Sequence, residues 1–454
     1  MTGDTERYLS VAEDLVRRAR KHGANDADVL VSAATEFEAT VREGQLERLV
    51  EAGSKALGLR VFVDARSAIC YTSDFSPAAL EKLAEDTVEL AAITDPDEAA
   101  GLPDPTDWAQ RNDLDLELYD PALPGVPNDR KIAMARLCEE SAFAFDPRIT
   151  RSDGATCSTD VGIRAFANSR GFAAAYPFSS ASLQVEVMAD DEDGKKRNDH
   201  WYTAERFFDR LEKPEDVGRK AAERALARLG AKKVPTRQVP VVWENKLAQR
   251  LIGFIARAAS GEALYRRQTF LMDLEGEKVA SPLVSIVDDP LLPAWLGSRP
   301  FDGEGVTTRR NEILVEGVFR GFLFDSYTAR KTGHRTTGSA HRGVGGPPSV
   351  GSSNLVFQAG TSSLDEILGS VQDGLFLTDL MGFGVNITTG DFSQGAGGHW
   401  IENGKLSYPV TEINVSGNLR EMLRDVEMVG NDLFVRGSAA APTVLMAKLM
   451  VSGL

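Results

Sequence analysis

Five histidines and three cysteines are the side chains of this sequence best suited to hold a metal or attack a carbonyl. The histidines are His22, His200, His334, His341 and His399; the cysteines are Cys70, Cys138 and Cys157. No His-Glu-x-x-His run sets two imidazoles one helical turn apart around a general base. His334 and His341 stand among the turn glycines Gly333, Gly338 and Gly343 and could gather round a metal with His399 and Asp391. Their irregular spacing favours ordinary polar loop histidines. Cys157 has no histidine near it in sequence to take its proton and reads as a buried structural thiol. Gly343-x-Gly345-Gly346 is followed by Pro347 and Pro348, which prevent a helix from starting there, so it is not a dinucleotide turn. No phosphate loop is present, and Ser352 and Ser353 do not sit in a Gly-x-Ser-x-Gly elbow. Asp288-Asp289 precedes Pro290 and reads as a turn. The charged run from Asp190 to Lys196 lacks the ligand order of a calcium loop and reads as a solvated hairpin tip. Short motifs alone therefore assemble no self-sufficient active site.

The elements that would position these residues fall into three segments. In the first, Tyr8, Val11, Ala12, Leu15, Val16 and Ala19 recur at helical spacing before Gly23. Leu57, Leu59, Val61 and Val63 alternate with Gly58, Arg60, Phe62 and Asp64, as in a half-buried strand, and a second strand follows over Ser67 to Thr72. Ser76 and Pro77 cap a helix carrying Leu80, Leu83, Ala84, Val88 and Leu90. Residues 95–127 are rich in proline and aspartate and read as a linker across the surface. In the second segment a helix over Asp129 to Phe145 precedes strand-like sequence from Arg148 to Val187, and a further helix begins at Lys213-Pro214 and ends at Gly230. The third segment, from Lys233, opens with a strand at Val239 to Trp243 and a helix bearing Leu247, Leu251, Ile252, Ile255 and Ala256 on one face. It then becomes strand-like, with 13 glycines in the 60 residues from His341 to Trp400, against 41 in all 454. Glycine at that density marks turns, bulges or close backbone approach to something bound.

A length of 454 suits two or three domains, and the apolar fraction, 42%, supports packed cores. With 51 Lys and Arg against 67 Asp and Glu, the net charge of −16 disfavours both nucleic acid and an anionic membrane as partners. Three scattered cysteines make no disulfide framework. No signal-peptide pattern opens the sequence and no apolar run is long enough to span a bilayer, so a soluble cytoplasmic protein is expected.

The order of several longer stretches resembles the TldD/PmbA family. Gly58-Leu-Arg-Val-Phe-Val and Tyr71-Thr-Ser-Asp-Phe-Ser-Pro are similar to its first domain. Closer still, and like the PmbA (TldE) branch, are Ser260-Gly-Glu-Ala-Leu-Tyr-Arg-Arg, Asp288-Asp-Pro, Phe301-Asp-Gly-Glu-Gly-Val-Thr-Thr-Arg-Arg, Gly321-Phe-Leu-Phe-Asp-Ser-Tyr-Thr-Ala-Arg-Lys and Thr337-Gly. The resemblance spans nearly the whole chain. It implies an α+β protein of three parts: an N-terminal α+β domain (1–100), a linker and middle α/β domain (101–232) and a glycine-rich, mainly β C-terminal domain (233–454).

It also implies a subunit of a cytoplasmic TldD–TldE metalloprotease that degrades or trims unfolded peptides. TldD-type subunits of that family carry His-Glu-x-x-x-His on the helix of the third domain and a later cysteine ligand, and zinc there activates a water. Here the matching helix reads Leu251-Ile-Gly-Phe-Ile-Ala-Arg-Ala-Ala-Ser-Gly, with Ile252 and Arg257 near the two histidine positions and Gly253 near the glutamate. No cysteine follows Cys157. The expectation is a chain without metal or catalytic residues of its own, which completes a chamber beside a zinc-bearing TldD-type partner and helps admit extended peptide. Tyr265, Arg266 and Arg267 are the candidate peptide-binding residues, Arg being able to grip a carboxylate bidentately. Two alternatives stay open: a non-enzymatic peptide-binding or adaptor homodimer, and a peptidase with a metal site of His334, His341 and His399.

Overall fold

The computed structural model describes residues 2–109, 115–192 and 194–453. In chain order α1 (Thr2–Lys21), β1 (Asp26–Arg42), β2 (Gln45–Val63), β3 (Arg66–Thr72), α2 (Pro77–Ala92), α3 (Asn128–Phe145), β4 (Ile149–Asn168), β5 (Ala173–Asp190), β6 (Lys196–Glu205) and α4 (Pro214–Leu226) build the first half. The six strands form one antiparallel sheet in the order β3-β2-β1-β4-β5-β6, so strands from both sides of residue 100 pair directly, Val31 opposite Ala165 for example.

The two faces of this sheet follow the period-two alternation. Odd-numbered Val29, Val31, Leu57, Leu59, Val61, Ala165 and Ala167 pack under α1 and α2. Along the other end of the same face, Cys157, Leu183, Val185 and Val187 pack under α3 and α4 with Cys138, Ala142, Val217 and Ala221. The alternation expected at residues 57–63 is therefore the helix-covered face, and β2 extends it back to Gln45. The opposite face carries Asp28, Leu30, Arg60, Arg164 and Phe166, and it docks on the C-terminal part through a cluster of Leu30, Phe166, Phe172 and Phe301. Gly58 belongs to that face: a Cβ there would overlap the Val344 carbonyl oxygen, so glycine allows the strand to lie against the facing loop.

Two readings change on folding. The strand Asp26–Arg42 escapes the sequence reading, because Ala33, Ala34 and Ala39 thin out its apolar alternation. The stretch 95–127, of which 110–114 lie outside the described residues, is not a free surface connection. Leu102, Leu116 and Leu123 are buried, and the Arg330 guanidinium donates to the Ala99, Gly101 and Leu102 carbonyls, strapping the chain to the C-terminal half. The charged run caps the β5–β6 hairpin as expected, with Asp193 outside the described residues. Asp191 is nonetheless docked, accepting from Arg197 and the Gly230 amide.

The C-terminal half opens with β7 (Arg237–Trp243), α5 (Asn245–Ala258) and α6 (Gly261–Tyr265), and later carries α7 (Ser326–Thr332). β7 pairs parallel with Asp373–Met381 and antiparallel with Val444–Ser452; Asp391–Glu402 and Lys405–Asn418 complete the sheet, and pairing of Lys405–Asn418 with Val444–Ser452 closes it into a barrel. Glycines at 397 and 398 in the barrel strand fall where its register shifts. A second sheet of six short strands includes Ile286–Asp288, Asn311–Val315 and Leu355–Phe357. Helix α5 lies in the main core, with Leu251, Ile252 and Ile255 fully buried beside Trp243, Phe357 and Trp400. The whole is α+β, with a β-rich C-terminal half. Among the described residues no helix is long and apolar enough to cross a membrane.

Candidate functional site

The exposed side of α5 faces a cavity of about 370 Å³, walled by Gly253, Ala256 and Arg257 of the helix, Ser260, Glu262, Arg266 and Gln268 just beyond it, and Val350 to Ser352 and Ile387 opposite. The helix forms here because its apolar positions recur on one face, which turns Gly253 and Arg257, four residues apart, away from the core. Ile252 lies in the core, not on the cavity wall. The Arg257 guanidinium is exposed and makes no hydrogen bond or ion pair among the described residues. Ser260 accepts from the Ala263 amide at 3.1 Å, capping α6 and fixing where Tyr265 and Arg266 emerge.

A second cavity, about 450 Å³, adjoins the first, since Glu262, Arg266 and Val350 border both. Its far wall is Arg60, Phe62, Ser67 and Ile69 of the first sheet, so it lies between the two halves of the molecule. Tyr265 stacks edge-on against Tyr327, ring centroids 6.3 Å apart, and the Lys331 ammonium lies over both rings. The Tyr327 hydroxyl donates to Asp97 at 2.8 Å, and Lys331 pairs with the same carboxylate. Partial burial, with Asp97 alongside, raises the Tyr327 phenol and keeps it protonated as that donor. Arg266 pairs with Glu262 across one helical turn at 2.8 Å. Burial, with Glu304 nearby, raises the Asp325 carboxyl, whose oxygen caps α7 by accepting from the Thr328 amide.

Of the three candidate peptide residues, Tyr265 and Arg266 line this double cavity. Arg267 sits in a left-handed turn (φ 56°) and borders neither part. The loop histidines do not converge: His334 stacks on Phe324 at 4.7 Å, His341 pairs with Ser349 in a two-residue ladder, and His399 hydrogen-bonds the Ala227 carbonyl at 2.9 Å. Among the described residues no three His, Cys, Asp or Glu side chains are grouped to hold a metal, so the metal-site alternative built on His334, His341 and His399 is corrected. Cys138 on α3 and Cys157 on β4 are fully buried in the core between the sheet and α3 and α4, where burial pushes the Cys157 thiol up to about 12, and neither lines the two cavities. Asp288 ends a strand and is buried; Asp289 alone makes the turn, accepting from the Leu291 amide. The sequence reading missed the inter-half wall of the second cavity. Its signal was Arg60, a charge at a position whose sheet face is buried.

Residues 27–91, 121–229 and 236–453 match the first, central and C-terminal domains of the PmbA/TldA metallopeptidases. A Metalloprotease PmbA of Escherichia coli is 35% identical over 99% of this chain and 97% of its own length. The chain belongs to the PmbA/TldD metallopeptidase family. A PmbA homologue of Haemophilus influenzae is 36% identical over 96% of this chain and 94% of its own. A crystal structure from Bacteroides thetaiotaomicron, of a protein described as a candidate modulator of DNA gyrase, superposes with a TM-score of 0.92 at 31% identity, covering 98% of each chain. In this PmbA/TldD member the α5 wall of the cavity offers Gly253, Ala256 and Arg257. Glycine and alanine have no donor atom and a guanidinium carries a fixed positive charge, so these residues do not fit zinc.

Proposed function

We propose that this chain is the PmbA/TldE-like subunit of a cytoplasmic TldD/TldE-type zinc metalloprotease that degrades or trims unfolded peptides. It completes the peptide chamber beside a TldD-type partner that carries the metal. The observation that carries the reading is the α5 wall: a cavity is kept at the helix where the family's zinc-bearing branch has its ligands, while the residues facing it are Gly253, Ala256 and Arg257. An unpaired Arg257 repels a cation and attracts a carboxylate.

Tyr265 and Arg266 supply what an extended peptide needs from such a wall, an aromatic surface and a bidentate donor. The cavity is bounded by residues of both halves of the molecule, which leaves a cleft for an extended chain between them.

The test is to purify the chain alone, a TldD-type chain alone and the two together, and to measure cleavage of an unstructured peptide and zinc content in each. The expected outcome is activity and stoichiometric zinc only where the TldD-type chain is present, with activity highest in the mixture. Full activity from this chain alone sinks the proposal. Peptide binding by this chain, with no proteolysis by any mixture, supports the adaptor homodimer instead.

A further inference from the structure

A third cavity, about 330 Å³, opens on the other side of the Pro347–Ser349 segment that walls the second one. Three arginines border it from both halves of the molecule: Arg164 of β4, and Arg299 and Arg342 of the C-terminal half. The Arg342 side chain is fully buried behind the wall; one arm of its guanidinium pairs with Asp28 at 2.5 Å, while its Nε and Nη2 have no partner. Arg299 donates through Nη1 to the Ala340 carbonyl at 3.0 Å, and its buried Nε and Nη2 are likewise without partners. Arg164 is exposed, its guanidinium 6.0 Å from the Phe178 ring, and makes no hydrogen bond or ion pair through its side chain among the described residues.

Asp302 is the one acid on this wall, and it is already used. Its two oxygens accept the Glu304, Val306 and Ala340 amides at 2.8–3.0 Å. Buried N–H groups of a cation are seldom left without acceptors, because each gives up its hydration and gains no bond in return. Four of them, buried behind the wall of one opening rather than open to it, leave positive charge there that an anion in the cavity would offset. Beside the polar His341 and Ser349, the wall has an apolar and aromatic part made by Leu30, Tyr176 and Phe301, the last two edge-to-face at 5.3 Å. Inorganic phosphate would satisfy the arginines and leave that surface unmatched, whereas a carboxylate attached to an apolar group matches both.

We propose that this cavity binds the free C-terminus of an extended peptide whose last residue is apolar, with the terminal carboxylate against Arg164 and Arg299, in front of the buried Arg342, and the side chain against Leu30, Tyr176 and Phe301. The choice of a peptide as the bearer of the carboxylate rests on the peptide-handling reading above; the charge and shape of the cavity do not. A peptide lying past Tyr265 and Arg266 meets this pocket beyond the shared Pro347–Ser349 wall, which anchors one end of the substrate.

The test is calorimetric titration of the full chain, without partner, with N-acetyl-Ala-Ala-Phe as the free acid, the same peptide as its C-terminal amide, and inorganic phosphate. The acid is expected to bind at least about tenfold more tightly than the amide or phosphate, the order expected when one charge-assisted hydrogen bond is removed. Arg299→Gln is expected to bring acid binding down to the level of the amide. Arg164→Gln, at an exposed position where misfolding is no explanation, lowers it by several-fold. Equal binding of acid and amide, phosphate binding as tightly as the acid, no binding of the acid, or indifference to both substitutions overturns the proposal. Loss of the pocket with cleavage by the two-chain complex intact leaves the subunit proposal standing. Acid-selective binding with an inactive complex does the reverse.

Discussion

Arg60 and Arg299 approach the same junction from opposite halves of the molecule, and the protein treats them differently. Arg60 donates from Nε and Nη2 to Asp28 and from Nη1 and Nη2 to Glu304, so its charge is matched on two sides. Glu304 in turn accepts the Ser326 amide at 2.9 Å. Burial alone would lower the Arg60 pKa, and the two carboxylates outweigh it. Arg299 has one carbonyl acceptor and two buried nitrogens with nothing to bond; burial outweighs its acidic neighbours and the pKa falls. A buried cation matched within the chain holds two halves together, while one left unmatched marks where a ligand completes the set.

The largest effect that can break this contrast is on the matched side. Asp28→Ala leaves Arg60 and Arg342 facing each other without their shared acceptor and is expected to cost about 3–5 kcal/mol, read from urea unfolding. A loss below about 1 kcal/mol would mean that the network contributes nothing net. Next comes Gly58→Ala, which pushes a methyl into the Val344 carbonyl and should cost about 1–3 kcal/mol by forcing the sheet off the facing loop. Hydrogen exchange of residues 341–350 should rise in that variant; unchanged protection would show that the loop can simply move.

A pH experiment separates the two kinds of buried acid. Burial would raise the Asp28 pKa, but Arg342 and Arg60 hold it below the usual range, so its contribution is present above about pH 4 and lost as the pH falls through its folded value. Asp288 goes the other way: burial pushes it up to about 7 although it accepts the Ser353 amide. Its contribution is full below about pH 4 and lost as the pH rises towards 7. Asp288→Asn keeps an acceptor for Ser353 and cannot ionise, so it should raise the melting temperature at pH 8 relative to pH 5, compared with the unsubstituted chain. An identical pH dependence in the two proteins would show that Asp288 plays no part in it. The smallest expected effect is that of Arg164→Gln on stability, within about 0.5 kcal/mol by thermal melting, because an exposed, unpaired cation holds nothing in place. A larger effect would make it a structural arginine.

Much of the frame was legible from local pattern. The helix under Ser76-Pro77, the alternation at 57–63 and the amphipathic helix after Trp243 each encode their own fold, because the burial of one face is written in residues close together in sequence. The candidate peptide residues were half legible: Tyr265 and Arg266 reach the cavities, while Arg267 is turned away by a backbone conformation that no side-chain pattern announces. The arginine pocket was not legible at all, since its residues 164, 299 and 342 are spread across three elements.

The amino-acid sequence by itself determined the helices and strands with one apolar face and the poverty of metal ligands, since these depend on residue types and on patterns within a turn or a strand, and its resemblance to a family implied the α+β class. Only the tertiary structure decided which charges are matched. Asp28, Arg60, Glu304 and Arg342 come together because one sheet face is pressed against a distant loop, and Arg299 and Arg164 are left over by the same packing. Desolvation acts on neighbours in space, and along the chain these residues are strangers.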